Sequence, residues 1–94
     1  MALYLVSYDI AEKDAHEYKP LYDLLNQLGA VRILYSEWVI TGDIGLSETL
    51  YNQFATIIQD KDRLLVQEMT NDASWDKLRI SDVAYKGILR KARG

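Results

Sequence analysis

In a chain of 94 residues with one histidine and no cysteine, few side chains are equipped for chemistry, and Asp9 has the best position among them. It ends Leu3-Tyr4-Leu5-Val6-Ser7-Tyr8-Asp9, an apolar, β-branched and aromatic run that reads as a strand. A carboxylate at a strand end is held at the rim of a sheet, which suits metal or phosphate chemistry better than a mobile surface position does. The same position also begins turns, so a turn-capping role stands beside the catalytic one. His16 has the ordinary pKa of a general acid or base, yet a lone histidine at a charged helix start reads first as a surface residue. No HxxxH, Walker, Rossmann or zinc-ligand pattern occurs, and neither Gly42-x-x-Gly45 nor an isolated Ser7 builds a nucleotide or acyl-transfer site.

The net charge of -3 and pI near 5.0 make no electrostatic case for broad nucleic-acid binding. The charges are unevenly placed, however. Lys86, Arg90, Lys91 and Arg93 form a basic end, and Asp9, Glu12, Asp14 and Glu17 form an acidic stretch near the first helix. Without cysteine there is no disulfide scaffold, thiolate zinc site or cysteine nucleophile, so nothing points to an oxidising compartment. No apolar run approaches the roughly 20 residues that span a membrane, and the N-terminus has no secretory pattern. The expectation is a soluble, cytoplasmic protein with no membrane partner.

One domain, residues 1–94, accounts for the whole pattern. A helix from about His16 to Leu28 carries Leu21, Leu24, Leu25 and Leu28 at amphipathic spacing. Pro20 is tolerated only in the first turn, so regular helix starts as late as Lys19, and Gly29 is the natural C-cap. Val31–Tyr35 and Trp38–Thr41 read as two strands meeting at a tight or bulged turn. Ser47 reads as the N-cap of a second helix, with Leu46 and Tyr51 as a hydrophobic staple and Leu50, Phe54, Ile57 and Ile58 as its apolar stripe. Asp60-Lys61-Asp62 turns the chain into a strand over Arg63–Met69.

The order strand, helix, strand, strand, helix, strand predicts an α+β, ferredoxin-like βαββαβ fold with a C-terminal extension over residues 70–94. Strand one places Tyr4, Val6 and Tyr8 on one face and Leu3, Leu5 and Ser7 on the other; strand four sets Leu64 and Val66 against Leu65 and Met69. Two apolar faces with helix enough for one require a cover. Either the extension packs on the sheet, through Trp75, Tyr85, Ile88 and Leu89, or a second subunit supplies it. Within the extension, Leu78–Ile80 reads as a short edge strand and Ser81 or Asp82 as the cap of a final helix. Tyr4, Val6, Tyr8, Trp38, Trp75 and Tyr85 are the expected packing or interface residues.

Tyr8-Asp9-Ile10, the leucine-rich helix ending at Gly29, Val31-Arg32-Ile33-Leu34-Tyr35-Ser36-Glu37-Trp38, the second helix and the strand from Arg63 to Gln67 together resemble a known family. It is the small CRISPR-associated protein that forms the central dimer of the spacer-acquisition integrase. The resemblance covers about residues 3–69. Tyrosine-aspartate after a strand also resembles the virulence-associated ferredoxin-fold ribonuclease toxins. The resemblance implies a homodimer with facing sheets, DNA or RNA bound along the assembly, an integrase-like protein partner, a role in antiviral defence, and metal-dependent phosphodiester cleavage that the adaptor role does not require.

By position, Asp9 matches the family's first-strand acidic residue, Ser36 the motif serine, and Trp38 the place usually held by phenylalanine. Two Asp9 carboxylates converging across a dimer would hold Mg²⁺, whose oxygen preference and retained waters suit water activation beside phosphate. Where family members carry an arginine-rich stretch after the aspartate, this chain has Ala11, Glu12, Lys13, Asp14, Ala15 and His16, which repels phosphate more than it collects it. Lys13, Lys19, Arg32, Arg90 and Lys91 are then the candidate nucleic-acid contacts. The expected function is a homodimeric, nucleic-acid-associated adaptor with weak or absent catalysis; the alternative is a metal-dependent endonuclease or endoribonuclease.

Overall fold

Strand-forming residues alternate sides from the second position onward, and the computed structural model, which describes residues 1–11 and 18–93, turns that alternation into two apolar layers. Lys13, His16 and the acidic residues Glu12, Asp14 and Glu17 lie outside the described residues. The elements run β1 (Ala2–Asp9), α1 (Lys19–Gln27), β2 (Val31–Leu34), β3 (Glu37–Gly42), α2 (Ser47–Ala55), β4 (Arg63–Met69) and α3 (Asp82–Arg93). The strands form one antiparallel sheet in the order β2-β3-β1-β4. This α+β arrangement is compatible with a ferredoxin-like fold.

Even-numbered residues of β1 meet α1 and α2. Tyr4, Val6, Tyr8, Trp38 and Ile40 are buried there with Leu21, Leu25, Leu50 and Phe54. Odd-numbered residues face the other way, where Leu3, Ile33 and Val39 are buried with Tyr85 and Ala92, and Trp75, Leu78, Ile80, Ile88 and Leu89 pack around them. The chain's own C-terminal segment therefore covers part of the second sheet face. None of the described helices is long and apolar enough to cross a membrane.

Local signals explain most boundaries. Pro20 sits in the first turn of α1, with Tyr18 as N-cap, because a proline there forfeits only an amide that would be unpaired anyway. Gly29, at φ +77°, closes the same helix: its N–H bonds the Asn26 carbonyl (3.0 Å) and the Ala30 N–H bonds that of Leu25 (2.9 Å). That pair of bonds is the Schellman arrangement, and the buried Leu25 and Ala30 add its usual apolar contact. At α3, the Ser81 hydroxyl accepts the Ala84 N–H at 3.1 Å, a regular N-cap.

Three local expectations need correction. Ser47 is the first residue of α2, not its cap; Leu46 occupies the N-cap position without a side-chain bond. The buried Tyr4 hydroxyl performs the tethering instead, accepting the Leu46 N–H (3.0 Å) and donating to the Asp43 carbonyl. No Leu46–Tyr51 staple closes over the helix start, since Leu46 packs inward while Tyr51 is exposed. Residues 78–80 are not a strand. A single bond from the Arg79 N–H to the Ile33 carbonyl (2.9 Å) ties them to the outer edge of β2, because the register shift between Arg32 and Leu34 interrupts the ladder that a further strand would need.

Candidate functional site

Strand register, rather than sequence proximity, assembles the residues around Asp9. On the second sheet face Leu34 pairs with Glu37, Glu37 with Ser7, and Ser7 with Leu65, forming one row across all four strands. Ser7 Oγ donates to Glu37 Oε2 at 3.1 Å. The row's two ends are open, with Leu34 40% and Leu65 49% exposed. One step further out, Asp9 is exposed and stands opposite Arg63. Ser7, Tyr8, Asp9, Arg63, Leu64 and Leu65 line a shallow depression of about 200 Å³.

The loops beside this rim are tied by Asp62. Its Oδ2 accepts the Gln59 N–H at 2.8 Å and its Oδ1 accepts the Ala11 N–H at 3.0 Å, so one carboxylate joins the chain leaving β1 to the chain entering β4. Asp62 thereby caps the turn into β4 and anchors the backbone that leaves β1. Glu37, Asp62 and Arg63 are residues around the site to which sequence reasoning gave no role there. Only the pairing of Ser7 with Glu37 brings the first of them beside Asp9, and a single turn-forming run gave no sign of the second.

Behind the rim, on the helix face, lies an aromatic cluster. The Trp38 indole N–H donates to the Tyr8 hydroxyl at 3.1 Å, and Tyr22 sits 6.5 Å from Tyr8 and 5.9 Å from Trp38 between ring centroids. The Arg32 guanidinium lies 5.1 Å from the Tyr22 ring, 5.3 Å from Tyr35 and 5.8 Å from Trp38, and it donates to the Tyr35 carbonyl. Burial pushes the Tyr8 hydroxyl up to about 12, with the Trp38 hydrogen bond opposing the rise. A phenol held that firmly in its protonated form neither takes a proton near neutral pH nor acts as a nucleophile. Ser36 contributes through its backbone, its carbonyl accepting the Tyr8 N–H at 3.2 Å.

Of the candidate nucleic-acid contacts, the four among the described residues are divided between the two sides of the sheet. Lys19 is paired with Asp23 at 2.7 Å, and Arg32 is engaged with the aromatic cluster on the α1 side. Arg90 and Lys91 are exposed on α3, beyond the opposite sheet face. Among the described residues no three of histidine, aspartate and glutamate cluster as a metal site. A larger hollow between α1 and α2, about 670 Å³ and lined by Leu24, Thr49, Asn52, Gln53, Thr56 and Ile57, holds no titratable group for acid–base work.

No protein-family model matches the chain.

Proposed function

We propose that this protein is a ferredoxin-like, homodimeric adaptor that associates with nucleic acid, a divergent relative of the CRISPR-associated spacer-acquisition dimers, with weak or absent catalysis. The observation that carries the reading is the partly covered second sheet face. The chain's own α3 closes the end bearing Leu3 and Val39, while Leu34 and Leu65 remain exposed at the ends of the row through Glu37 and Ser7. A two-fold mate across that row would cover the leucines and bring two Asp9 side chains toward one another. The strand order and element order support the ferredoxin-like assignment. An integrase-like partner follows from the resemblance alone, and a cytoplasmic setting from the sequence's lack of cysteine and of an apolar span.

Arg63, the strand partner opposite Asp9, favours the non-catalytic role, because a fixed positive charge at the rim repels an approaching metal cation. Size-exclusion chromatography with light scattering at micromolar concentration tests the dimer. Wild type elutes as a dimer and Leu65→Lys as a folded monomer; a monomeric wild type refutes the adaptor. Duplex binding survives Asp9→Ala on this reading.

The second reading, a Mg²⁺-dependent endonuclease or endoribonuclease, gains support from Glu37. It places a second carboxylate of the same chain on the open face diagonal to Asp9, within the reach of long side chains. An oxygen-only donor set of one or two carboxylates is the set Mg²⁺ uses while retaining waters; bound there, it would polarise phosphate and activate water. Cleavage abolished by EDTA and by Asp9→Ala supports this reading, and equal cleavage with EDTA present removes it.

A further inference from the structure

Beyond residue 69, where the family resemblance ends, α3 (Asp82–Arg93) carries a set of exposed basic residues. Val83, Lys86, Gly87, Arg90 and Lys91 recur at helical spacing and are all exposed, while Tyr85 and Ala92 on the opposite side are buried. Lys86, Arg90 and Lys91 have no carboxylate within ion-pair distance among the described residues, whose salt bridges are Lys19–Asp23 and Lys77–Asp76. Asp82, in the first turn of the same helix, accepts the Trp75 indole N–H at 3.0 Å. In a chain of net charge -3, this helix face is a concentrated cationic exception.

Two further features belong to the same face. Gly87 sits inside the helix, and a Cβ added there would meet nothing within 4 Å. Among the described residues no contact explains the missing side chain, although glycine weakens a helix interior relative to alanine. What the glycine provides is bare backbone flanked by Lys86 and Arg90, room for a partner to come close. Beside them, Asn71, Lys86, Leu89 and Arg90 line a cleft of about 330 Å³, and Asn71 is fixed there by its Nδ2 donating to the Leu89 carbonyl at 3.0 Å.

We infer that the outer face of α3 is a phosphate-binding track for a nucleic-acid backbone, with Lys86, Arg90 and Lys91 as cations and Gly87 as the point of closest approach. Lys86 and Arg90 are separated by about 6 Å along the helix, a step on the scale of successive phosphates on one strand. A membrane surface would need an apolar stripe to insert, and this helix spends its own stripe on the sheet. A protein interface would need an apolar centre, and the face offers only Val83. The inference rests on the nucleic-acid association proposed above, but on neither the dimer nor Asp9.

Fluorescence anisotropy with a labelled 30-base-pair duplex, titrated between 50 and 200 mM salt, tests it on the full-length chain. Three phosphate contacts predict a log–log salt slope of about -2.7 and a roughly 40-fold loss of affinity over that range. Lys86→Gln/Arg90→Gln/Lys91→Gln removes that slope, whereas Lys61→Gln/Lys77→Gln/Arg79→Gln, with the same loss of charge elsewhere, retains it. Gly87→Ala weakens binding while raising Tm, a combination that a purely structural role for α3 does not produce. Duplex binding that survives the α3 triple variant, falls equally in the control, or is unchanged in Gly87→Ala overturns the inference. So does equal binding to anionic vesicles or polyglutamate. Absence of wild-type duplex binding at 50 mM salt defeats the nucleic-acid reading as a whole, which separates that failure from one confined to α3.

Discussion

Replacing Tyr85 with alanine tests whether the second sheet face is closed by its own chain. Tyr85 is 5% exposed, meets Trp75 edge-on with centroids 4.8 Å apart, and shares a cluster with Leu3, Ile33, Val39 and Ala92. Truncating a buried aromatic residue costs about 3–5 kcal/mol, of which roughly 1 kcal/mol belongs to the ring–ring contact. A domain of 94 residues has a total stability of about 5–14 kcal/mol, so a loss near 4 kcal/mol removes more than a quarter of it. Urea unfolding at 25 °C measures this loss through the transition midpoint. Trp38 and Trp75 lie on opposite sheet faces, so a Trp38→Phe background makes fluorescence report on the α3 side while circular dichroism reports the whole fold. Tyr85→Phe should cost less than about 1 kcal/mol, since the ring is retained. A Tyr85→Ala loss below about 1 kcal/mol, with no coupling to Trp75→Ala in a double-mutant cycle, would show that α3 does not dock on this sheet, and the cis cover would be wrong.

Three other perturbations probe the scaffold around the candidate site. Gly29→Ala forces a Cβ into the left-handed region at φ +77° and should cost about 1–2 kcal/mol, seen as a lower urea midpoint at unchanged m-value. Asp62→Ala removes the acceptor of the Gln59 and Ala11 amides and should cost about 1 kcal/mol, with faster hydrogen exchange at those two amides as its local signature. Burial raises the hydroxyl pKa of Tyr8, to about 12, and of Tyr85. In the unfolded chain both ionise near the ordinary value of about 10, so the folded state holds its protons longer. The contribution of these two hydroxyls to stability is therefore constant with pH below 10 and falls as pH climbs from 10 toward 12. Tyr8→Phe should flatten part of that fall, and an unchanged profile would refute the assignment.

Much of the fold is legible in the sequence because its signals are local. The alternation in Leu3–Tyr8, the leucine spacing through Leu28, Pro20 in a first turn, Gly29 after a last one and Ser81 before Asp82 each state a backbone preference that needs no distant partner. The sequence signal fails where a distant residue decides. The start of α2 is tethered by the hydroxyl of Tyr4, 42 residues away in the chain, so Ser47 is not needed as a cap. Residues 78–80 have strand-forming side chains, but they lie against a bulged edge that offers one carbonyl.

The candidate site divides in the same way. Asp9 at a strand end follows from the amino-acid order alone, as do the two apolar faces and the basic character of the last helix, since composition and a period of two or 3.6 suffice to establish each. Tertiary structure decided what surrounds them. Register set Glu37 and Arg63 beside Ser7 and Asp9, the turn before β4 gave Asp62 the capping task, and docking of α3 left Lys86, Gly87, Arg90 and Lys91 on the outside. These outcomes depend on how strands align and which helix face is buried, and both are settled by contacts between segments far apart in the chain.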